Sequence, residues 1–194
     1  MTKSNVITTA VLLVAFGGCG LVIIPAMRDA KRRSTRTISL GNLIQLGTLC
    51  TGFALDHDDY FPFDPSPTPR AYRAFQALVD AISDFDCRVL CDPSQDDDFA
   101  RPGPDGRVTL GPHNVSFAYR GALTTSSERP STILMSNDTY GGAPNQRGST
   151  QPEGHEGGVN VFFISGEARF MPIEEFGPDR SFPEGLVDNE GRTQ

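Results

Sequence analysis

His155 is one of three histidines in 194 residues, and it stands directly before Glu156 and the pair Gly157-Gly158. An imidazole there has the chemistry of a ligand or a base near neutral pH. Nucleophilic catalysis would need a Ser or Cys motif within its reach, and none lies nearby in the sequence. The preferred reading is therefore structural: His155 ties a long Gly-rich loop to a sheet by hydrogen bonds. Two acidic runs, Asp56-His57-Asp58-Asp59 and Asp96-Asp97-Asp98, offer calcium-type oxygen ligands. Consecutive residues point in different directions, and the alternating spacing of a calcium loop is missing, so both read as solvated loops. Cys87 and Cys91 have three residues between them and no second such pair follows, which does not make a zinc site. Gly141-Gly142 and Gly157-Gly158 serve turns. Neither follows a strand and opens a helix with a Lys nearby, as a phosphate cradle requires. Asn114-Val115-Ser116 and Asn137-Asp138-Thr139 match the glycosylation pattern and read as chance matches. No catalytic residue, cofactor-binding residue or metal ligand is assigned.

The elements that must position these residues begin with an apolar run. The 22 residues from Val6 to Met27 carry no charge and suffice to cross a bilayer as a helix. The run continues through Leu21-Val22-Ile23-Ile24, past any cleavage site of a secretory signal. Phe16 is a poor residue three before a lipidated Cys19, so a retained span is expected, with Pro25 near its end. Arg28, Lys31, Arg32, Arg33 and Arg36 follow it against Asp29 alone, a cluster suited to anionic lipid headgroups. From Thr37 onward there are 11 basic and 23 acidic residues, a net of −12, which argues against nucleic acid as a partner. The soluble part, with most of the chain's 20 Gly and 15 Pro and no Trp, must be loop-rich. Cys50, Cys87 and Cys91 leave disulfide pairing open.

Helical character continues beyond the span. Ile38, Leu40, Leu43, Leu46, Leu49, Cys50 and Phe53 make an apolar stripe, weakened by Gly41, Gly47 and Gly52. The helix should stop near His57, before a Pro-rich stretch to Pro69. A second helix is expected from Arg70 to Ser83, with Phe75, Leu78, Val79 and Ile82 on one face. Asp92 to Pro112 reads as loop. Short strands follow at Val115–Arg120, Thr132–Ser136, Val159–Ile164 and Glu167–Met171, the last two joined by a two-residue turn at Ser165-Gly166. Thr139 to Gly158 reads as a Gly-rich loop. The fold class is α+β, a long N-terminal helix packed on a small antiparallel sheet. The expected organisation is a transmembrane helix (1–27), a juxtamembrane helix (28–61), an α+β head (62–172) and an acidic, extended tail (173–194).

The order of several short stretches resembles a bacterial group, the type IV pilin-like and type II secretion pseudopilin-like proteins with a C-terminal motif of His, nine residues, then Asp-Gly. Leu21 to Arg33 is similar to the end of the family's membrane helix and its basic continuation. Asn42-Leu43-Ile44-Gln45-Leu46-Gly47 is similar to its Asn-Leu-Lys-Gln-Leu-Gly segment, and Asp58-Asp59-Tyr60-Phe61-Pro62 to its helix exit. Leu90-Cys91-Asp92-Pro93-Ser94 resembles its Cys-Pro-Ser stretch with Asp92 inserted. Ser116-Phe117-Ala118-Tyr119 and Pro130 to Leu134 correspond to two family strands. His155-Glu156-Gly157-Gly158-Val159-Asn160 through Gly166 reproduces the spacing of the motif. The chain departs from the family in two places. Residues Met1 to Val6 do not form the Gly-Phe-Thr-Leu-Ile-Glu motif and the apolar run holds no Glu, so the resemblance does not extend to cleavage and polymerisation. Ser165 stands where the motif has Asp.

The resemblance implies a non-enzymatic, membrane-anchored pseudopilin-like structural protein of a type II secretion or type IV pilus-like system. Its partners would be the lipid bilayer, other pilin-like subunits or secretion machinery, and calcium is the one cofactor it leaves open. The resemblance puts the head outside the cytoplasm on an inner-membrane anchor, whereas the basic residues after the span favour the opposite orientation. The alternative is a non-polymerising, membrane-tethered binding module for an extracytoplasmic ligand or ion. A third class, a tethered hydrolase, would use His155 with nearby acids.

Overall fold

The structure is a computed structural model that describes residues 3–95, 97–121, 128–137, 155, 157–176 and 186, with side chains from residue 23 onward apart from 173 and 176. Its elements are α1 (Lys3–Asp56), α2 (Ala71–Ala81), β1 (Phe117–Tyr119), β2 (Ile133–Asn137), β3 (Gly158–Phe163) and β4 (Ala168–Pro172). Short 3-10 helices lie at Cys87–Leu90, Pro112–Asn114 and Ile173–Phe176. The chain divides into two compact units, residues 1–35 and 36–194. The arrangement is α+β, as expected. The helix α1 is long and apolar enough to cross a membrane, the qualifying window lying within Ile23–Asp56.

The first unit is helical from Lys3. Pro25 lies inside α1 rather than at an end. Ile23, Ile24 and Met27 are exposed. Arg32 reaches Asp29 one turn back at 4.0 Å, and the Thr35 hydroxyl donates to the Lys31 carbonyl at 2.9 Å.

In the second unit the buried line of α1 is Ser39, Leu43, Leu46, Gly47, Cys50 and Ala54. This corrects the expected stripe: Ile38 is 52% exposed, and Leu49 and Phe53 are half-buried. Apolar residues alone give a stripe centred off the true one, because the inward face includes a serine and a glycine. Gly47 has a packing reason that outweighs its poor helix propensity. A Cβ there would strike the ring of Phe162 on β3. The end of α1 is set by Asp58 and Asp59 at φ of 52° and 65°, with the Ala54 carbonyl accepting from the amides of His57 and Asp59. Aspartate is among the few residues that tolerate this left-handed region. His57 stacks on Phe53 with ring centroids 3.6 Å apart, so the acidic run closes the helix. The Asp64 carboxylate then accepts from the amides of Ser66 and Arg70, each at 3.0 Å, and folds the Pro-rich stretch back into α2. Phe75 and Leu78 of α2 are buried and Val79 and Ile82 half-buried, with Phe75 against Tyr119 of β1 at 4.7 Å.

The sheet is an antiparallel meander in the order β1-β2-β3-β4. Phe117, Tyr119, Leu134, Met135 and Phe162 join the cluster around α1 and α2, whereas Ala118, Ile133, Val159, Val161, Phe163 and Met171 form a second cluster with Leu186. These are the two faces of the sheet. The register shift in β2 between Ile133 and Met135 puts Leu134 and Met135 on the same face. A bulge of this kind re-aims everything beyond it. It turns Asn137 toward α1, where unbroken alternation from Ile133 would have faced it away.

Two further expectations are corrected. The β3–β4 turn is not a two-residue loop. Phe163 pairs with Glu167 (amide to carbonyl, 2.8 Å), and the Gly166 amide donates to the Phe163 carbonyl at 2.9 Å. Gly166 sits at φ 86°, the left-handed residue that ends a three-residue hairpin loop. The tail is not simply extended: Ile173–Phe176 is a 3-10 turn and Leu186 is fully buried. An acidic composition concealed one apolar residue that the sheet's second face takes up. The rest of the tail lies outside the described residues, as do Asp96, Gly141-Gly142 and most of the Thr139–Gly158 loop.

Candidate functional site

Where α1 enters the head, five polar side chains converge in the interior. Ser39 comes from the inward line of α1 and Asp92 from the chain just past the 3-10 turn Cys87–Leu90. Asn137 ends β2, Asn160 is the third residue of β3, and His155 is bridged to Gly158 at the start of β3. Ser39, Asn137 and Asn160 are fully buried, Asp92 is 1% exposed and His155 7%.

Asp92 is the hub. Its Oδ2 accepts from the Ser39 hydroxyl at 2.8 Å and, over a short contact, from the Asn137 amide. Its Oδ1 accepts from the Ser94 amide and hydroxyl at 2.8 and 2.7 Å. His155 Nε2 lies 3.4 Å from Oδ2 and makes no hydrogen bond of normal geometry. Burial pushes the Asp92 carboxyl up, but the His155 ring and the Ser94 donors together outweigh it, and the group is held below its ordinary value. Ser39 Oγ in turn accepts from Asn137 Nδ2 at 2.8 Å and Asn160 Nδ2 at 3.2 Å. The Asn160 amide donates to Asn137 Oδ1 at 2.8 Å, and Asn160 Nδ2 to the Arg36 carbonyl at 3.2 Å. A buried carboxylate survives only when its lone pairs are occupied, and four donors occupy these.

The residue types of a hydrolytic triad are present, but the connectivity is not. Ser39 donates to the carboxylate rather than to the imidazole, and all three side chains are buried, so no nucleophile faces a substrate. The thiols are equally poor nucleophiles. Burial, followed by the charge of Asp97, pushes Cys91 up to about 12. Cys50 is raised by burial beside Tyr119, and both stay neutral. Cys50, Cys87 and Cys91 are free thiols. Among the described residues no three of His, Cys, Asp and Glu come together to hold a metal ion.

The expected site residues divide accordingly. His155 and Asn160 enter the cluster. Asn42 donates to the Cys91 carbonyl at 2.9 Å and so fixes α1 to the same segment as Asp92. Cys91 Sγ faces the Asn114 carbonyl at 3.6 Å. Leu46 and Phe61 are core, Pro62 is buried behind Phe61, and Tyr60 is 49% exposed. Gly47 touches Phe162, Gly158 leaves no room for a Cβ against the Met171 carbonyl, and Gly157 turns the chain at φ 83°. Gly166 lies in the hairpin, remote in the sheet from the polar cluster. Sequence reasoning missed Ser39, Asp92 and Asn137 as cluster members. The one available signal was Asp92, the residue that interrupts the Cys-Pro-Ser stretch. Asn137, matched to a glycosylation pattern, has its amide fully engaged in the interior.

An open groove of about 420 Å³ lies between α2 and residues 107–110. Gln76 lines it with its amide already committed, donating to the Val108 carbonyl at 3.0 Å and accepting from the Leu110 amide at 2.8 Å. That side chain holds the loop to the helix and offers nothing to a ligand. No family model matches the chain, and no curated protein or solved structure matches it either.

Proposed function

We propose that this is a membrane-anchored, pseudopilin-like structural protein of a type II secretion or type IV pilus-like envelope system, single-pass in the inner membrane with its head outside the cytoplasm. One observation carries the reading. The 54 residues of α1 are a single helix whose early part is uncharged from Val6 to Met27 and whose later part, Ser39 to Ala54, is built into the core of an α+β head. Anchor and core element are the same helix. The motif residues Asn42, Gly47, His155, Gly158 and Asn160 support the same reading: Asn42 joins α1 to the Asp92 segment, Gly47, His155 and Asn160 bring α1 or that segment against the sheet, and Gly158 shapes the start of β3. The burial of Ser39, Asp92 and His155 favours a structural role over a catalytic one.

Cell fractionation tests the proposal: the protein should be recovered from membranes and released by detergent, and a wholly soluble pool would overturn it. Regular oligomer ladders after cross-linking in membranes would support assembly into a multi-subunit structure. The absence of Glu from the apolar run favours a second reading, a tethered binding module that does not polymerise. Strictly monomeric cross-linking products would select it.

A further inference from the structure

We propose that Arg28, Lys31, Arg32 and Arg33 form a binding collar for anionic phospholipid headgroups. This rests on the membrane-anchored reading above and adds the identity of the lipid. Ile23, Ile24 and Met27 on the preceding turn are 53%, 55% and 66% exposed. Large aliphatic side chains left so open on consecutive turns suit hydrocarbon better than water. The next six residues carry four cations and one anion, and all six are exposed. Arg28, Lys31 and Arg32, at i, i+3 and i+4, fall on one helix face. Asp29 is the one acid among these six residues and lies 4.0 Å from Arg32, so by formal charge the stretch holds four cations against one anion.

The dimensions agree. Arg28 to Arg33 covers about 7.5 Å of helix at 1.5 Å per residue. A bilayer of about 40–45 Å with a hydrocarbon core of about 30 Å leaves about 5–8 Å of headgroup layer on each side. With the aliphatic turn at the edge of the hydrocarbon, the basic turn lies at the level of the phosphates, and long Lys and Arg side chains can reach along the interface. Guanidinium groups match phosphate oxygens in pairs. Charge balance gives the collar a purpose. From Thr37 onward the chain carries a net −12 and would be repelled by an anionic surface, and the collar offsets that repulsion locally. Continuity with the aliphatic turn selects a lipid over a free phosphate ion, which would leave that turn uncovered.

The full chain, delivered from detergent into vesicles of phosphatidylcholine alone or with one-third phosphatidylglycerol, tests this by flotation. Wild type should float with both, and at 0.1 M salt should favour the anionic vesicles by at least about tenfold. The preference should vanish at 1 M salt and in the variant R28Q/K31Q/R32Q/R33Q, whose head should keep an unchanged urea midpoint. Equal partition of wild type between the two vesicles, or a variant that keeps the preference, would overturn the collar while leaving the anchor intact. Displacement by inorganic phosphate beyond that by sodium chloride of equal ionic strength would also overturn it, as a site for the free ion. Failure to float even with phosphatidylcholine would overturn the anchored reading itself.

Discussion

The two faces of the sheet are buried by different chemistry. One carries Ala118, Ile133, Val159, Val161, Phe163 and Met171, with Leu186 against them, and is mainly apolar, broken by the small hydroxyl of buried Ser136 and by Arg169 lying over Phe163. The other meets α1 and α2 through Phe117, Tyr119, Leu134, Met135 and Phe162, but gives way at one end to Ser39, Asp92, Asn137, Asn160 and His155. Hydrocarbon contact is strong and non-directional, and it tolerates small shifts of one layer over another. Hydrogen bonds to a buried carboxylate do not, because any rotation of α1 that moves Ser39 leaves groups unpaired. The apolar face supplies adhesion. The polar end fixes which rotation of α1 and which register of β2 and β3 are adopted.

The comparison can be broken most sharply at Asp92. Asp92→Ala strands the donors of Ser39, Ser94 and Asn137 and should cost about 3–5 kcal/mol, read from urea denaturation. A loss under about 1 kcal/mol would mean the polar end is no more specific than the apolar face. The same carboxylate sets an acid limit. Its folded-state pKa is lowered relative to the unfolded value of roughly 3.9. Its contribution is therefore complete above that pH and is lost as the pH falls through the lower folded value. Asp92→Asn should flatten this part of the acid-unfolding curve, and an unchanged curve would assign acid sensitivity elsewhere.

On the apolar face, Leu186→Ala should cost about 2–5 kcal/mol by opening a cavity under the sheet. A neutral result would show that the tail contributes nothing to that face. Gly47→Ala sharpens the contrast at the helix contact. Overpacking against Phe162 costs about 1–3 kcal/mol, against about 1 kcal/mol of helix propensity gained. A small net destabilisation is expected, relieved by pairing the change with Phe162→Leu. Gly166→Ala lies outside both faces and should cost only about 1 kcal/mol, the penalty for a Cβ at positive φ. Hydrogen exchange should then show fraying confined to the β3–β4 turn.

Elements were more legible in the sequence than contacts between them. The helix α2 and all four strands lie within a few residues of their expected places, because the periodicity of Phe75 and Leu78 and the runs at Ile133 and Val159 are local signals. The α1 stripe was displaced because Ser39 reads as a polar break, although it is the inward residue that binds Asp92. Asp92 and Asn137 were illegible for a different reason. They are 45 residues apart, and they meet only because a bulge in β2, which no local pattern announces, turns Asn137 inward. His155 was expected to tie its loop to the sheet by side-chain hydrogen bonds; its backbone is bridged to Gly158, but its ring stands 3.4 Å from Asp92, which no local pattern marked as its neighbour.

The division of α1 bears on what an endoprotease would leave behind. The basic stretch ending at Arg33 and Arg36 is a natural target for trypsin-like cleavage. A cut after Arg33 removes none of the described side chains that line the interior and spares the Arg36 carbonyl that receives Asn160. On the anchored reading proposed above, the residues from 34 onward would then be shed whole. A cut a few positions later, beyond Ser39, would pull the hub's first donor out of the fold, and what was released would be a denatured polypeptide.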